Sequence, residues 1–284
     1  MNDAEYKKMF DLESYYWWFV ARRKLVSSML FGLVKSPAER TTILDVGCGT
    51  GLNVSVFSKF GQVYGADSSL EALALAQSRG VKNVVLTDVE MLDFPDEKFD
   101  IVTALDVLEH TDNDQAALRE MWRVLKPGGK LVVTVPAYGF LWTEHDEALH
   151  HRRRYTAYEL RNKMTTVGFD VQRSTYFITL LFFPILLIRL LQNLTKKSVE
   201  AKTSYIILPK WVNSLLVRIL DLEQIYLRFL NLPFGVSVVA IAKKTECLST
   251  KHQRSETQVA LSAPSHKIDQ DVAEERNHMP TVHA

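Results

Sequence analysis

Three glycines, Gly47, Gly49 and Gly51, stand in the string Ile43 to Gly51 (ILDVGCGTG) between an apolar run and a segment able to form a helix. Such a turn lets the backbone approach a ligand closely and turns the first N–H groups of the helix toward it. The spacing is G-x-G-x-G, not the G-x-G-x-x-G of dinucleotide-binding turns, and Leu52 stands where the third dinucleotide glycine would be. Asp45, two residues before the first glycine, would face a cationic amino group better than a pyrophosphate. Asp67 ends the next β-rich run, a position from which a carboxylate can accept from both hydroxyls of a ribose, with Ser68 beside it. Asp88 and Val89 end the third run, where a carboxylate can accept from an adenine amino group while the following N–H donates to the ring. Together these residues describe a site for a nucleoside, with a dinucleotide disfavoured.

Two further groups could move protons or hold charge. Asp106 to His110 (DVLEH) closes the fourth β-rich run after Leu105, and its imidazole titrates near neutrality in water. His145, Asp146, Glu147, His150 and His151 are followed by Arg152, Arg153 and Arg154. The histidine spacing is not H-E-x-x-H and no cysteine is near, so a dedicated metal site is not expected. The arginine run could grip a phosphate or carboxylate, while a solvated basic stretch or internal pairing with Asp146 and Glu147 fits equally well.

The elements that must position these residues follow from periodicity. Short β-rich runs at Ile43 to Val46, Val63 to Ala66, Asn83 to Leu86, Phe99 to Leu105 and Lys130 to Val135 alternate with helical segments, which predicts an α/β fold with a parallel sheet. Helix signals lie between them: Ser68 with Glu71 and then Gly80, and Asp112 ahead of Pro127-Gly128-Gly129. Thr156 with Glu159 opens another helix that should close at Gly168, before a sixth strand at Phe169 to Phe177; Gly235 to Ala242 supplies a seventh. Residues 1–40 form a helical lead-in, with the aromatic cluster YYWWF (Tyr15 to Phe19) running into ARRK. Residues 245–284 are polar and aperiodic, and are expected to be a disordered tail.

Composition narrows the partners. A formal net charge of +1 gives no basic face for nucleic acid, and two cysteines, Cys48 and Cys247, exclude a disulfide framework. No basic stretch followed by an apolar run opens the chain, so a cytoplasmic protein is expected. Between about residues 178 and 234 the pattern is different. An apolar run, Tyr176 to Ile188, is too short for a spanning helix, and an amphipathic stripe runs from Trp211 to Leu230. Seven Lys or Arg oppose three acids there. This apolar helical insertion suits an interfacial contact with the inner membrane surface, a lid on the core, or a dimer interface.

The run ILDVGCGTG, the acids at Asp67 and Asp88, FPDEKFDIV, DVLEH and VLKPGGKLVV together resemble the class I S-adenosylmethionine-dependent methyltransferases (methyltransferase type 11), in particular the branch that includes the ubiquinone-biosynthesis O-methyltransferases. The resemblance covers residues 40 to 136 closely. It implies a Rossmann-like seven-stranded, mostly parallel sheet with its last strand antiparallel, within a domain at 41–244, and S-adenosyl-L-methionine as cofactor. It places Asp45, Gly47, Gly49, Gly51, Asp67, Ser68, Asp88, Val89 and Leu105 at the cofactor. His110 is then the leading general base, with Asp106 and His145 as further catalytic candidates. Trp18, Tyr138, His150, Arg153 and Arg154 are the candidates for the acceptor, a small molecule or a lipid-linked amphiphile. A non-catalytic cofactor-fold binding module is the alternative of another class.

Overall fold

The computed structural model describes residues 3–34, 41–194, 205 and 208–245. The expected polar tail beyond Thr245, with Cys247, and the lysines at 196, 197 and 202 lie outside the described residues.

In chain order the elements are α1 (Asp3–Leu12), α2 (Trp17–Leu33), β1 (Thr42–Val46), α3 (Leu52–Phe57), β2 (Gln62–Asp67), α4 (Leu70–Ser78), β3 (Val84–Leu86), β4 (Phe99–Leu105), α5 (Asp114–Val124), β5 (Leu125–Pro136), α6 (Glu144–Ala148), α7 (Ala157–Val167), β6 (Phe169–Phe177), α8 (Phe182–Leu194), α9 (Lys210–Leu227) and β7 (Ser237–Lys244). The strands form one seven-stranded sheet in the order β3-β2-β1-β4-β5-β7-β6. β7 runs antiparallel to both β5 and β6, and the other pairings are parallel.

The central strands are apolar on both faces because both faces are covered. Successive residues separate into two cores at a period of two. Leu44, Val46, Val102, Leu131 and Val133 join the side packed with α5 and α7, whereas Ile43, Val63, Ile101 and Val132 pack with α2, α3 and α4. Strand order reverses between β1 and β4, so the crevice at their carboxyl ends is where a ligand is received in this architecture.

Several boundaries differ from the pattern in the sequence. The lead-in is two helices, broken at Glu13 to Tyr16, so the YYWWF cluster straddles a corner. Ser69, not Ser68, caps α4, its hydroxyl accepting from Ala72 N at 3.2 Å. Asn113 caps α5 by accepting from Ala116 N. The LKPGG string does not precede β5 but opens it, against an irregularity in the β4 register between Phe99 and Ile101. Thr156 and Glu159 form the expected capping box, and Gly168 ends α7 at φ 110°.

The insertion between β6 and β7 is two helices, α8 and α9, closing a third core with α2 that contains Ala21, Leu25, Phe177, Phe182, Leu220 and Leu227. Asn213 fixes α9 to the corner before α2, accepting from Trp17 N and donating to Tyr15 O, both at 2.8 Å. Glu223, buried in α9, accepts the N–H groups of Thr179 and Leu180, which the turn into α8 leaves without helical partners. No helix among the described residues is long and apolar enough to cross a membrane.

Candidate active site

The carboxyl ends of β1, β2 and β4 open into a cavity of about 680 Å³. At one end the glycine turn is its floor. Gly47 has φ 65°, and a Cβ there would fall 2.4 Å from Val107 Cγ2, so both conformation and space demand glycine. Asp67, 8% exposed at the end of β2, accepts from Gly49 N at 2.8 Å and Ser69 N at 3.0 Å. A carboxylate offers about four lone-pair sites, so this one can shape the turn and still meet a diol. Burial pushes its carboxyl above the ordinary range, against those amide bonds. Ser68, Asp88, Val89 and Leu105 line the same bay. From α1 come Tyr6 and Met9, and from the turn just past its end Glu13, at spacings of three and four, a contribution the lead-in's apolar pattern did not announce.

Two cofactor candidates stand back from the cavity. Asp45 is 1% exposed behind the turn, its carboxylate accepting from Thr103 Oγ1 at 2.5 Å, and burial raises it to about 7. It braces β1 to β4 and does not line the cavity, and its second carboxyl oxygen is without a hydrogen-bond partner. Gly51 (φ 77°) would place a Cβ 2.7 Å from that of Ala76, so its role is to let α3 pack on α4.

Past Leu105 the cavity reaches the acid–base groups. Asp106, at φ 58°, is ion-paired to Arg22 of α2 and accepts from Thr134 Oγ1 at 3.2 Å. That carboxylate ties α2 to the end of the sheet. His110 lines the cavity, but its imidazole does not titrate near neutrality: burial first, then the neighbouring His151, pull it down to about 3. Glu109 is fully buried, neither carboxyl oxygen has a hydrogen-bond partner, and burial followed by the Asp106 charge drives it well above the carboxylate range.

His151 is differently placed. Its ring lies 4.7 Å from that of His110, edge to face, and its Nδ1 is 2.9 Å from Asp146 Oδ1. Asp146 is itself completely buried and held below the ordinary carboxylate range by His151, Arg154 and the Thr143 N–H, which outweigh its burial. As a carboxylate it can only accept, so Nδ1 carries the proton toward it, and in the neutral form of the ring Nε2 holds the lone pair. Glu109, His110 and His151 each bring one ligand atom within 4.8 Å of the others, a set of a size to hold a divalent cation. The sequence could not show this, since 41 positions separate the two histidines.

The acceptor candidates divide. Trp18 lines the cavity, its ring 4.4 Å below the Arg22 guanidinium, and His145 lines it near Tyr205. Burial, then Arg189, lowers His145 to about 4. Arg154 borders the cavity but is 2% exposed and committed to Asp146, with Nη2 at 2.7 Å. Tyr138, His150 and Arg153 are not in its wall. Tyr138 stacks between Phe140 and Tyr176; His150 is exposed at φ 58°; Arg153 pairs with Asp114 at 3.2 Å. Pairing with Asp146, one of the alternatives for the arginine run, therefore describes Arg154, while Arg153 pairs with a different acid, Asp114.

Beyond His145 the cavity continues as an apolar arm between the insertion helices. Leu181, Pro184, Ile185 and Ile188 come from α8 and the turn before it, Val212 and Leu216 from α9, and Arg189 stands where arm and polar end meet. Only the regular spacing along each helix could have suggested these residues.

A Rossmann-like sheet with a glycine turn, an acid at the end of β2 and a bay at the topological switch defines a nucleoside-cofactor domain. The "Methyltransferase domain" family matches residues 44–133. A ubiquinone biosynthesis O-methyltransferase of Rhodopseudomonas palustris is 40% identical over 97 residues, 32% of this chain and 38% of that enzyme, so the match spans well under half of that relative. An uncharacterized protein of Methanocaldococcus jannaschii is 30% identical over 57% of this chain and 80% of its own length. Among solved structures, an S-adenosylmethionine-dependent methyltransferase of Thermotoga maritima superimposes with a TM-score of 0.53 at 21% identity, over 85% of this chain and 96% of that one, which shows the shared fold. The chain belongs to the class I S-adenosylmethionine-dependent methyltransferases, and S-adenosylmethionine is its cofactor.

Proposed function

We propose that this protein transfers the methyl group of S-adenosylmethionine to an amphiphilic acceptor, bound with its apolar part between α8 and α9 and its reacting end beside His151. The observation that carries this reading is continuity: one cavity joins the glycine turn and Asp67 to His110 and His151 and then to the apolar arm. The Rhodopseudomonas relative, named for ubiquinone biosynthesis, is consistent with an acceptor of this kind.

Asp67 would hold the ribose, the turn at Gly47 and Gly49 would lie under the amino-acid end, and Asp88 with the Val89 N–H would meet the adenine. The cofactor supplies an electrophilic methyl group, so what remains for the chain is to align the acceptor, exclude water and take a proton. His151 is the group best built for the last task. Asp146 fixes its tautomer and would stabilise the imidazolium, while His110 is too weakly basic and forms the wall beside it. Burial raises the Glu109 carboxyl, and in its protonated form it would donate a hydrogen bond to the acceptor atom or to a neighbouring oxygen.

The outward faces of α8 and α9 would lay the arm's mouth against a membrane. α9 is apolar on two faces: Val212, Leu216, Leu220 and Leu227 point inward, while Trp211, Leu215 and Leu222 are 48–71% exposed, with Phe229 just past its end 80% exposed. Ile188, at the cavity rim, is itself 43% exposed.

The deciding experiment incubates the purified protein and S-adenosylmethionine labelled in its methyl group with a total bacterial extract separated into lipid and aqueous fractions. Label should appear in the lipid fraction. Label confined to the aqueous fraction would replace this reading with a soluble acceptor and a lid role for the insertion.

A further inference from the structure

Arg189 is the sole ionisable residue in the 13 positions of α8. It follows Ile185 and Ile188 on the stripe that faces the cavity, and its side chain is only 17% exposed. A guanidinium there has lost most of its water and needs anionic partners. Those available are few. It donates to the Leu141 carbonyl, lies 3.5 Å from Thr143 Oγ1, and is 3.5 Å from Asp146 Oδ2. Asp146 is already engaged more closely, by Arg154 Nε at 2.8 Å and Nη2 at 2.7 Å, by His151 Nδ1 at 2.9 Å and by the Thr143 N–H at 2.9 Å.

Two guanidiniums thus share one buried carboxylate, and Arg189 has the outer place. Burial and then the Arg154 charge lower it to about 10, so it remains cationic at neutral pH. Among the described residues no other acid is paired with it, and Asp106 is committed to Arg22. The junction between polar end and apolar arm therefore carries an incompletely balanced positive charge, on a side chain whose planar fork matches phosphate oxygens.

We propose that Arg189 anchors a phosphate group of the acceptor, at the point where the acceptor's apolar chain enters the arm between α8 and α9. This rests on the amphiphilic-acceptor reading and specifies its chemistry: an alkyl or isoprenoid phosphate, monoester or diester. The same anchor could serve a water-soluble phosphorylated acceptor, and the test separates the two.

The protein saturated with S-adenosylhomocysteine is titrated by calorimetry with octyl phosphate, 1-octanol and inorganic phosphate. Octyl phosphate is expected to bind about 10-fold to 100-fold more tightly than octanol, the range of one charge-assisted contact. Arg189→Gln should bring octyl phosphate to the octanol level with S-adenosylhomocysteine affinity unchanged, and Arg189→Lys should keep part of the preference. Equal affinity of the wild type for octyl phosphate and octanol overturns the anchor while leaving the amphiphile reading intact. So does a preference that survives Arg189→Gln. Binding of neither octyl probe overturns both. Inorganic phosphate binding as tightly as octyl phosphate, and lost with Arg189→Gln, keeps the anchor and assigns it to a water-soluble acceptor. Should Arg189→Gln fail to bind S-adenosylhomocysteine, the wild-type comparison of the two octyl probes decides alone.

Discussion

The carboxylate at Asp67 serves two ends at once, holding the glycine turn by its Gly49 and Ser69 bonds while facing the bay. Asp67→Asn removes the charge and, with a single acceptor oxygen, keeps only one of the two turn bonds. S-adenosylhomocysteine should then bind about 10-fold to 150-fold more weakly by calorimetry, the worth of one hydrogen bond to a charged group; unchanged affinity would remove Asp67 from the ribose. The two histidines separate in a comparable way. For an acceptor that must lose a proton, His151→Ala should lower kcat by about 100-fold to 10,000-fold with KM for S-adenosylmethionine little changed. The kcat–pH profile of the wild type should show an ionisation that this variant lacks. His110→Ala should retain that ionisation, since a group titrating at about 3 is already neutral throughout the working range. If only His110→Ala abolishes it, the assignment of the base reverses.

At the scale of elements, Asp146 is the knot that joins α6 to the segment leading into α7 and to α8. It receives Thr143, His151, Arg154 and Arg189 from three stretches of chain. Arg154→Met leaves a buried carboxylate short of its main partner and should cost about 3–5 kcal/mol in urea unfolding at pH 7. The pH dependence has a definite sign. A carboxyl held below its unfolded value contributes stability that is present above the unfolded pKa, near 3.9, and is lost as pH falls through the folded one. In Arg154→Met that gap narrows, so the difference from wild type should shrink below about pH 4; a difference constant from pH 7 to 3 would show that Arg154 acts by packing alone.

At the scale of the whole molecule, α8 and α9 expose apolar side chains, Phe183, Leu187 and Trp211 among them, that the described cores do not cover. Lys210, Arg218 and Arg228 are exposed on α9, whereas its two acids are occupied, Asp221 with Lys24 and Glu223 with backbone amides. Anionic vesicles should therefore bind the protein, less so as salt is added, with each Lys or Arg near the surface contributing about 1 kcal/mol. Changing Phe183, Leu187, Trp211 and Phe229 to Ser should lower the partition by at least about 100-fold, since each inserted side chain contributes about 1 kcal/mol or more. Phe182 must be spared, because it is 8% exposed in the core with Phe177 and Leu227. A wild type that ignores vesicles at low ionic strength, in a flotation assay, would end the membrane reading.

What the sequence determined by itself was the cofactor half. Strand period, the G-x-G-x-G spacing and the acids at Asp67 and Asp88 are local signals, because a strand's alternation and a turn's need for positive φ are written within a few residues of each other. Six of the seven strands appear within about two residues of their expected places, β5 beginning five residues early at Leu125, and the described part of the insertion between β6 and β7 is helical as its apolar stripes require. The proposed acceptor half rests on the tertiary structure alone. Whether His110 or His151 can hold a proton depends on burial and on a carboxylate five positions from one and 36 from the other. How closely an arginine engages an acid of its own chain separates Arg189, 3.5 Å from Asp146, from Arg154 at 2.7 Å and Arg153 at 3.2 Å from Asp114, although all three look alike in sequence. Asp45 and Gly51 belong to the same short motif as Gly47, yet they turn to the packing behind it. Desolvation and pairing are properties of a place in the fold, set by residues that may be a hundred positions apart, and no spacing rule encodes them.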